Sequence, residues 1–293
     1  MKEVGRGSVI SYEEQQALAI RGYEVVRLLG EGAFSKVVLV RKKALTQLQY
    51  TGKQRDSMLA EDFIDNAACK ISCQTGLALR EAETLAGIDH PLFPKYLDVW
   101  QEEEKVFLLM EYIRGSSLEA LLARRGGFSD IRVVQIGLEL AEGLKYLHEM
   151  PKQVLYRDLK PANIMLRQDG RVKLLDLGCA CTTGPQADLA GTPEYASPEQ
   201  LKSGSILTPA SDVYGLGKTL HAMAGRKCRK GLRQVIAACI NEYPQERIPD
   251  MRGVISALTA LEKGTGKLQK PSISGRMQVI CLNNVWESAY KRV

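Results

Sequence analysis

The apolar pattern of this chain changes character once, near Gly115, and that change limits its fold more than any other feature. Before it, short runs rich in β-branched and aromatic residues read as strands: Tyr23 to Leu29, Lys36 to Val40, Ala67 to Ile71, Tyr96 to Trp100 and Val106 to Met110. Gly30-Glu31-Gly32-Ala33 joins the first two as a hairpin with a glycine-rich turn, and an acidic turn, Gln101 to Lys105, joins the last two. Residues 11–20 predict a short helix. A clearer one covers 76–88, where Leu79, Ala82, Leu85, Ala86 and Ile88 recur at helical spacing until His90-Pro91 stops them. Beyond Gly115, Ser117 is expected to cap a helix carrying Leu118, Leu121 and Leu122, and Ser129 opens a long amphipathic pattern to residue 149. Further helices are predicted near 211–224, 229–241 and 250–262, with a single hairpin, Ile164 to Leu166 and Val172 to Leu175, turning at Asp169-Gly170. A β-rich region followed by a mainly helical one predicts the α+β class.

At 293 residues the chain is long enough for one large domain or two lobes, and 45% hydrophobic with 25% charged residues excludes a wholly disordered polymer. Forty basic against thirty-four acidic residues leave +6, an excess that suits nucleotide phosphates and does not require nucleic acid. The seven cysteines, Cys69, Cys73, Cys179, Cys181, Cys228, Cys239 and Cys281, are odd in number and lack the paired spacing of a zinc site, which predicts free thiols in a reducing compartment. The start lacks the apolar run of a secretory signal, and no stretch approaches the roughly 18 apolar residues of a membrane span, so a cytoplasmic location is expected. Residues 42–66 lose all periodicity and read as an insertion, while 263–293 form a C-terminal extension. Gly264-Thr265-Gly266-Lys267 in that extension lacks the spacing and the following hydroxyl residue of an NTPase phosphate loop.

The most specific string is Tyr156-Arg157-Asp158-Leu159-Lys160-Pro161-Ala162-Asn163, an ordered polar set that a random loop rarely contains. Thirteen residues later comes Asp176-Leu177-Gly178. Upstream stand Gly30-Glu31-Gly32-Ala33-Phe34-Ser35-Lys36-Val37 and Ala68-Cys69-Lys70; downstream stand Gly191-Thr192-Pro193-Glu194-Tyr195-Ala196-Ser197-Pro198-Glu199 and Asp212-Val213-Tyr214-Gly215-Leu216-Gly217. In this order, over about residues 23–262, they resemble the catalytic domain of bacterial, eukaryotic-like Ser/Thr protein kinases. Departures are Ser35 for the third glycine, Tyr156 for the usual histidine, Leu177 for phenylalanine, and Ser-Pro-Glu for Ala-Pro-Glu.

The resemblance implies a bilobal fold, with an N-terminal extension at 1–22, an N-lobe at 23–113, a C-lobe at 114–262 and Mg²⁺-ATP in the cleft. Gly30, Gly32 and Ser35 would let backbone amides approach phosphates, Lys70 would meet the α- and β-phosphates, and Glu81, preferred to Glu83 for its helical phase, would hold that lysine. Val37, Ala68 and Met165 would sandwich adenine, Met110 would guard the back pocket, backbone groups of Glu111 and Ile113 would read the base, and Ser117 would reach the ribose. Asp158 would take or align the proton of a substrate hydroxyl, Lys160 would stabilise the moving phosphoryl group, and Asn163 and Asp176 would hold Mg²⁺, with Mn²⁺ as the alternative ion. Leu177 keeps an apolar plug with less area than phenylalanine.

Thr192 is expected to contact the catalytic loop, Glu199 to pair with Arg247, Asp212 to anchor the loop, and Asp188 partly to neutralise Arg157 in place of a phosphate. The implied substrate is a protein serine or threonine hydroxyl, autophosphorylation included. A self-association or regulatory partner would engage the insertion or the C-terminal extension. A nucleotide-binding scaffold and a small-molecule kinase are the competing classes; intact Lys70, Asp158, Asn163 and Asp176 argue against the first, and the 192–199 segment against the second. No nucleic-acid recognition motif is present.

Overall fold

The computed structural model describes residues 10–43, 66–185, 190–225 and 228–264. Most of the expected insertion, nearly all of the C-terminal extension, Asp188 and Cys281 therefore lie outside the described residues. The described residues fall into two units: one runs up to Gly87 and includes Pro94–Ile113, the other joins Ile88–Phe93 to the residues from Arg114 onward.

The first unit is built on five strands, β1 (Tyr23–Glu31), β2 (Ser35–Lys42), β3 (Asn66–Ser72), β4 (Tyr96–Glu102) and β5 (Lys105–Glu111). They form one antiparallel sheet in the order β1-β2-β3-β5-β4. Directly paired residues share a face, so the register sorts the side chains. Val38↔Cys69↔Leu109, Val40↔Ala67 and Ile71↔Phe107 lie on one face, whereas Val37↔Lys70↔Leu108 and Ala68↔Met110 lie on the other. Helix α1 (Tyr12–Ile20) buries Ala17 and Leu18 in the cluster of the first face, together with Trp100. Helix α2 (Thr75–Ala86) buries Ala78, Glu81, Ala82 and Leu85, a stripe at the spacing of one helical face. Leu79, expected on that face, is 37% exposed instead, because the phase that buries Leu85 and Ala82 brings Glu81 inward.

The second unit contains α3 (Leu118–Arg125), α4 (Asp130–Glu149), α5 (Pro209–Ala224), α6 (Lys230–Cys239) and α7 (Met251–Glu262). Ser117 and Ser129 cap α3 and α4 as the sequence predicts, accepting from the amides of Ala120 and Arg132, and Asp250 caps α7 through Gly253. A Cβ on Gly137 of α4 would lie 2.8 Å from Leu220 of α5 and 3.0 Å from Leu258 of α7, so the bare backbone lets these three helices pack closely. A small sheet joins β6 (Gly115–Ser117), β8 (Ile164–Arg167) and β9 (Val172–Leu174) in the order β6-β8-β9. The two-residue β7 (Val154–Leu155) pairs with Cys181–Thr182, a short bridge for which the sequence shows no periodicity. Ile88–Phe93 is bound to this unit by hydrogen bonds from Leu174 N to Leu92 O and from the Lys173 ammonium to Phe93 O, both 2.8 Å.

Candidate active site

In the first unit, Lys70 projects from β3 and its Nζ lies 2.7 and 2.9 Å from the two carboxylate oxygens of Glu81 on α2. Glu83, the rival by proximity, is exposed. The turn between β1 and β2 is closed by a bond from Gly32 N to Ser35 O at 2.8 Å, and Phe34 O accepts from Cys73 N at 3.1 Å, which ties the tip to the end of β3. A Cβ on Gly30 would meet no atom within 4 Å, one on Gly32 only Ser35 O at 3.7 Å, and neither glycine has a positive φ. The described chain thus needs glycine at neither position for its own folding. Val37, Ala68, Lys70 and Met110 share one sheet face, opposite to that covered by α1. Glu111 gives its amide to Lys95 O at 2.9 Å, so of its two backbone groups the amide is already engaged, and Ile113 is buried.

In the second unit, Ser117 pairs with Met165 across β6 and β8 while its Oγ accepts the α3 amide of Ala120 at 3.2 Å. The 156–163 loop is held from below by Asp212 near the start of α5. This carboxylate, 1% exposed, accepts from Tyr156 N and Arg157 N at 2.8 Å each and is 2.8 Å from His148 Nε2. Those bonds help hold Arg157 at φ 70°, a conformation that costs a non-glycine residue about 1–3 kcal/mol. Asp176 is similarly strained at φ 62°, and its Oδ1 accepts from Gly178 N at 3.0 Å.

Asp158 is buried and surrounded by donors. Its Oδ1 accepts from Thr192 N at 2.9 Å and Thr192 Oγ1 at 2.8 Å; its Oδ2 accepts from Asn163 Nδ2 at 3.0 Å and lies 2.8 Å from Lys160 Nζ. Lys160 Nζ also donates to Thr192 Oγ1 at 2.6 Å. Donors on both oxygens fix the carboxylate's orientation. Tyr156, fully buried in place of the usual histidine, donates its hydroxyl proton to Leu175 O. Burial pushes its phenol well above the ordinary value of 10.0, and the negative charges of Asp176 and Asp158 push in the same direction.

Asn163 turns its amide nitrogen toward Asp158, which leaves the amide oxygen for other partners, and Asp176 supplies a carboxylate. An oxygen-only donor set with one carboxylate fits Mg²⁺, which keeps several waters and takes phosphate oxygens as its remaining ligands. Among the described residues, no cluster of three or more His, Cys, Asp or Glu side chains offers an alternative metal site.

The following segment is fastened to the same loop. Gly191 has φ 107°, and a Cβ there would lie 2.9 Å from Arg157 O and 3.3 Å from Gln200 Nε2. Gly191→Ala is therefore expected to cost about 1–3 kcal/mol of stability and to lower activity, since it displaces the backbone that aligns Thr192. A melting curve with a parallel rate measurement checks both. Gln200 Nε2 donates to Arg157 O at 2.8 Å, and Arg247 grips Glu199 through two bonds of 2.7 and 2.8 Å. Although burial acts to raise it, the Glu199 carboxyl lies below its ordinary range because Arg247 and Ser211 bond to it. Arg157 itself is buried, and Asp188, its expected partner, is outside the described residues. Leu177 is buried as an apolar plug would be.

Sequence reasoning missed His148, Gln200 and Ser211. A histidine at the end of an amphipathic helix reads as core, and a glutamine beyond Ser-Pro-Glu carries no spacing signal, so only the fold reveals these contacts.

The family model of the protein kinase domain matches residues 23–249. Among curated proteins, the chain is 30% identical over 276 residues to the RAC-beta serine/threonine-protein kinase B of Xenopus laevis, covering 87% of this chain and 54% of that protein. It is 31% identical over 254 residues to the RAC-beta serine/threonine-protein kinase of Homo sapiens, covering 82% and 50%. To the protein kinase C eta type of Mus musculus it is 28% identical over 221 residues, covering 74% and 31%. The chain thus spans about half the length, or less, of these curated relatives. With a strand-borne lysine on a helix glutamate in one unit, and a donor-ringed aspartate in the loop of the other, the chain belongs to the protein kinase family.

Proposed function

We propose that this protein transfers the γ-phosphoryl group of ATP to serine or threonine hydroxyls of proteins, itself included. The observation that carries the reading is the Asp158 cluster, in which Lys160, Asn163 and Thr192 fix both carboxylate oxygens. In the step, the substrate hydroxyl oxygen bonds to the γ-phosphorus, the bond from that phosphorus to the β–γ bridging oxygen breaks, and ADP carries away its electron pair. The hydroxyl proton passes to Asp158, and Lys160 offers its charge to the phosphoryl oxygens. Asn163 and Asp176 are the residues that would hold Mg²⁺. When bound, the ion neutralises charge on the phosphates. The Lys160–Thr192 contact supports a serine/threonine rather than a tyrosine acceptor, because both residues carry the resemblance to that branch.

The first unit supplies the nucleotide contacts of this reading. Since nothing in the described chain demands glycine at 30 or 32, their small size serves an approaching phosphate. Gly30→Ala with Gly32→Ala is expected to leave the melting temperature unchanged while weakening ATP binding about tenfold, or roughly 1.4 kcal/mol. Calorimetric titration of both proteins checks this.

The proposed partner is a protein bearing the acceptor hydroxyl, with no nucleic acid; self-association or regulation through 42–66 or 263–293 rests on the sequence alone. Bacterial-type cytoplasmic signalling is the setting we infer, from the sequence resemblance and from the free cysteines Cys69, Cys73, Cys179, Cys181, Cys228 and Cys239. No helix among the described residues is long and apolar enough to cross a membrane. Incubation with γ-labelled ATP and a protein pool, followed by phosphoamino-acid analysis, tests the reading. Phosphoserine and phosphothreonine are expected; label in phosphotyrosine alone contradicts it.

A further inference from the structure

Helix α1 precedes the residues that the family model matches, yet it is built into the sheet that carries the glycine-rich turn. Ser11 begins it with a capping box: Ser11 Oγ accepts from Glu14 N at 3.3 Å, and Glu14 Oε2 accepts from Ser11 N at 2.9 Å. Ala17 and Leu18 sink into the apolar cluster, and at the far end the Arg21 guanidinium lies 5.1 Å from the Trp100 ring centre.

Between these anchors Glu14 does something an ordinary helix glutamate does not. Its side chain is 3% exposed, and its two oxygens meet two lysines: Oε2 is 3.0 Å from Lys36 Nζ, Oε1 is 2.9 Å from Lys105 Nζ. Lys105 opens β5. Lys36 is the second residue of β2, paired with Glu31 and immediately following Ser35, whose carbonyl closes the glycine-rich turn. Residues 36, 38 and 40 point to the α1 face, and residue 37 to the face of Lys70. A buried carboxylate therefore grips the strand at the foot of the turn from behind.

We propose that Glu14 is a positioning residue for nucleotide binding: through Lys36 it holds the glycine-rich turn in the conformation that receives the phosphates. The inference rests on the kinase reading above, and it gives a segment outside the matched domain a part in the reaction. A turn held in place before the ligand arrives loses less freedom on binding, which is how such a grip raises affinity. The grip is ionic. Burial works to raise the Glu14 carboxyl, but bonds from Lys105, Lys36 and the Ser11 amide bring it below its ordinary range, so it stays charged at neutral pH. Lys105 binds the same carboxylate at the edge of a different strand, and it provides an internal control.

The experiment compares Mg²⁺-ATP with adenosine, which lacks the phosphates, as probes of the full chain and of four variants by calorimetric titration. Glu14→Gln and Lys36→Met are each expected to weaken ATP binding about fivefold, close to 1 kcal/mol, and to leave adenosine binding unchanged. Lys36→Arg, which keeps the ion pair, restores the affinity for ATP. Lys105→Met, measured alongside, lowers the melting temperature as Glu14→Gln does but leaves the ATP affinity alone. Equal losses for ATP and adenosine, or an unchanged ATP affinity in folded Glu14→Gln and Lys36→Met, overturn the proposal. Failure of the unsubstituted chain to bind ATP overturns the kinase reading itself, a result distinct from either.

Discussion

Asp158→Asn is expected to lower phosphoryl transfer about a thousandfold while the protein still folds, since a general base contributes roughly 10²–10⁴-fold to such a step. The amide has the shape of the carboxylate, so the backbone held by Asp212 does not move. What changes is chemistry. The carboxylate accepts from Thr192 on one oxygen and from Asn163 on the other, and an amide nitrogen in either place faces a donor instead. The variant also loses the charge beside Lys160. Steady-state rates with circular dichroism separate loss of chemistry from loss of fold. If the variant keeps more than about a tenth of the activity, proton acceptance by Asp158 is excluded as a principal contribution.

The largest stability effect is expected at Arg247. Its side chain is fully buried, makes both bonds to Glu199, donates to the carbonyls of Asn241, Ala210 and Glu242, and stacks 4.9 Å from the centre of Tyr214. Arg247→Ala removes one partner of a buried pair and strands the other, a change that costs about 3–5 kcal/mol. The pH dependence follows from Glu199. Its folded-state carboxyl lies below the ordinary 4.5, so the folded protein binds fewer protons than the unfolded one in the acid range. The pair's contribution is therefore complete above the ordinary value and is lost as pH falls through the lowered one. Melting curves taken from neutral pH into that range should show a shallower acid decline in Arg247→Ala than in the unsubstituted chain. A parallel decline in both would mean that the pair does not supply the acid sensitivity.

Much of this arrangement was legible in the residues. The β-rich runs before Gly115 and the helical periods after it correspond to β1–β5 and α3–α7, because burial inside a sheet favours short runs of β-branched and aromatic residues and burial of one helix stripe writes itself into spacing. Ser117 and Ser129 were recognisable as caps since their chemistry is local. Glu81 was separable from Glu83 by its helical phase taken with the family-like spacing to His90-Pro91. Other features left no local trace. Leu79 fits an apolar stripe on paper, but the sheet selects the phase one residue away, where Glu81 meets Lys70. The role of Glu14 depends on two lysines, one 22 and one 91 positions away, and that of His148 on an aspartate 64 positions on. Contacts of that range are set by topology. Two-residue bridges such as Val154–Leu155 with Cys181–Thr182 are too short for any period to register.

The most direct test follows label from γ-labelled ATP into protein over time, with Mg²⁺ and with the ion removed by chelation, for the unsubstituted chain and folded Asp158→Asn side by side. The account predicts incorporation into serine and threonine that requires Mg²⁺ and almost vanishes in the variant. Incorporation that persists in Asp158→Asn, or none in a full chain that binds ATP and is offered a protein pool, would contradict it.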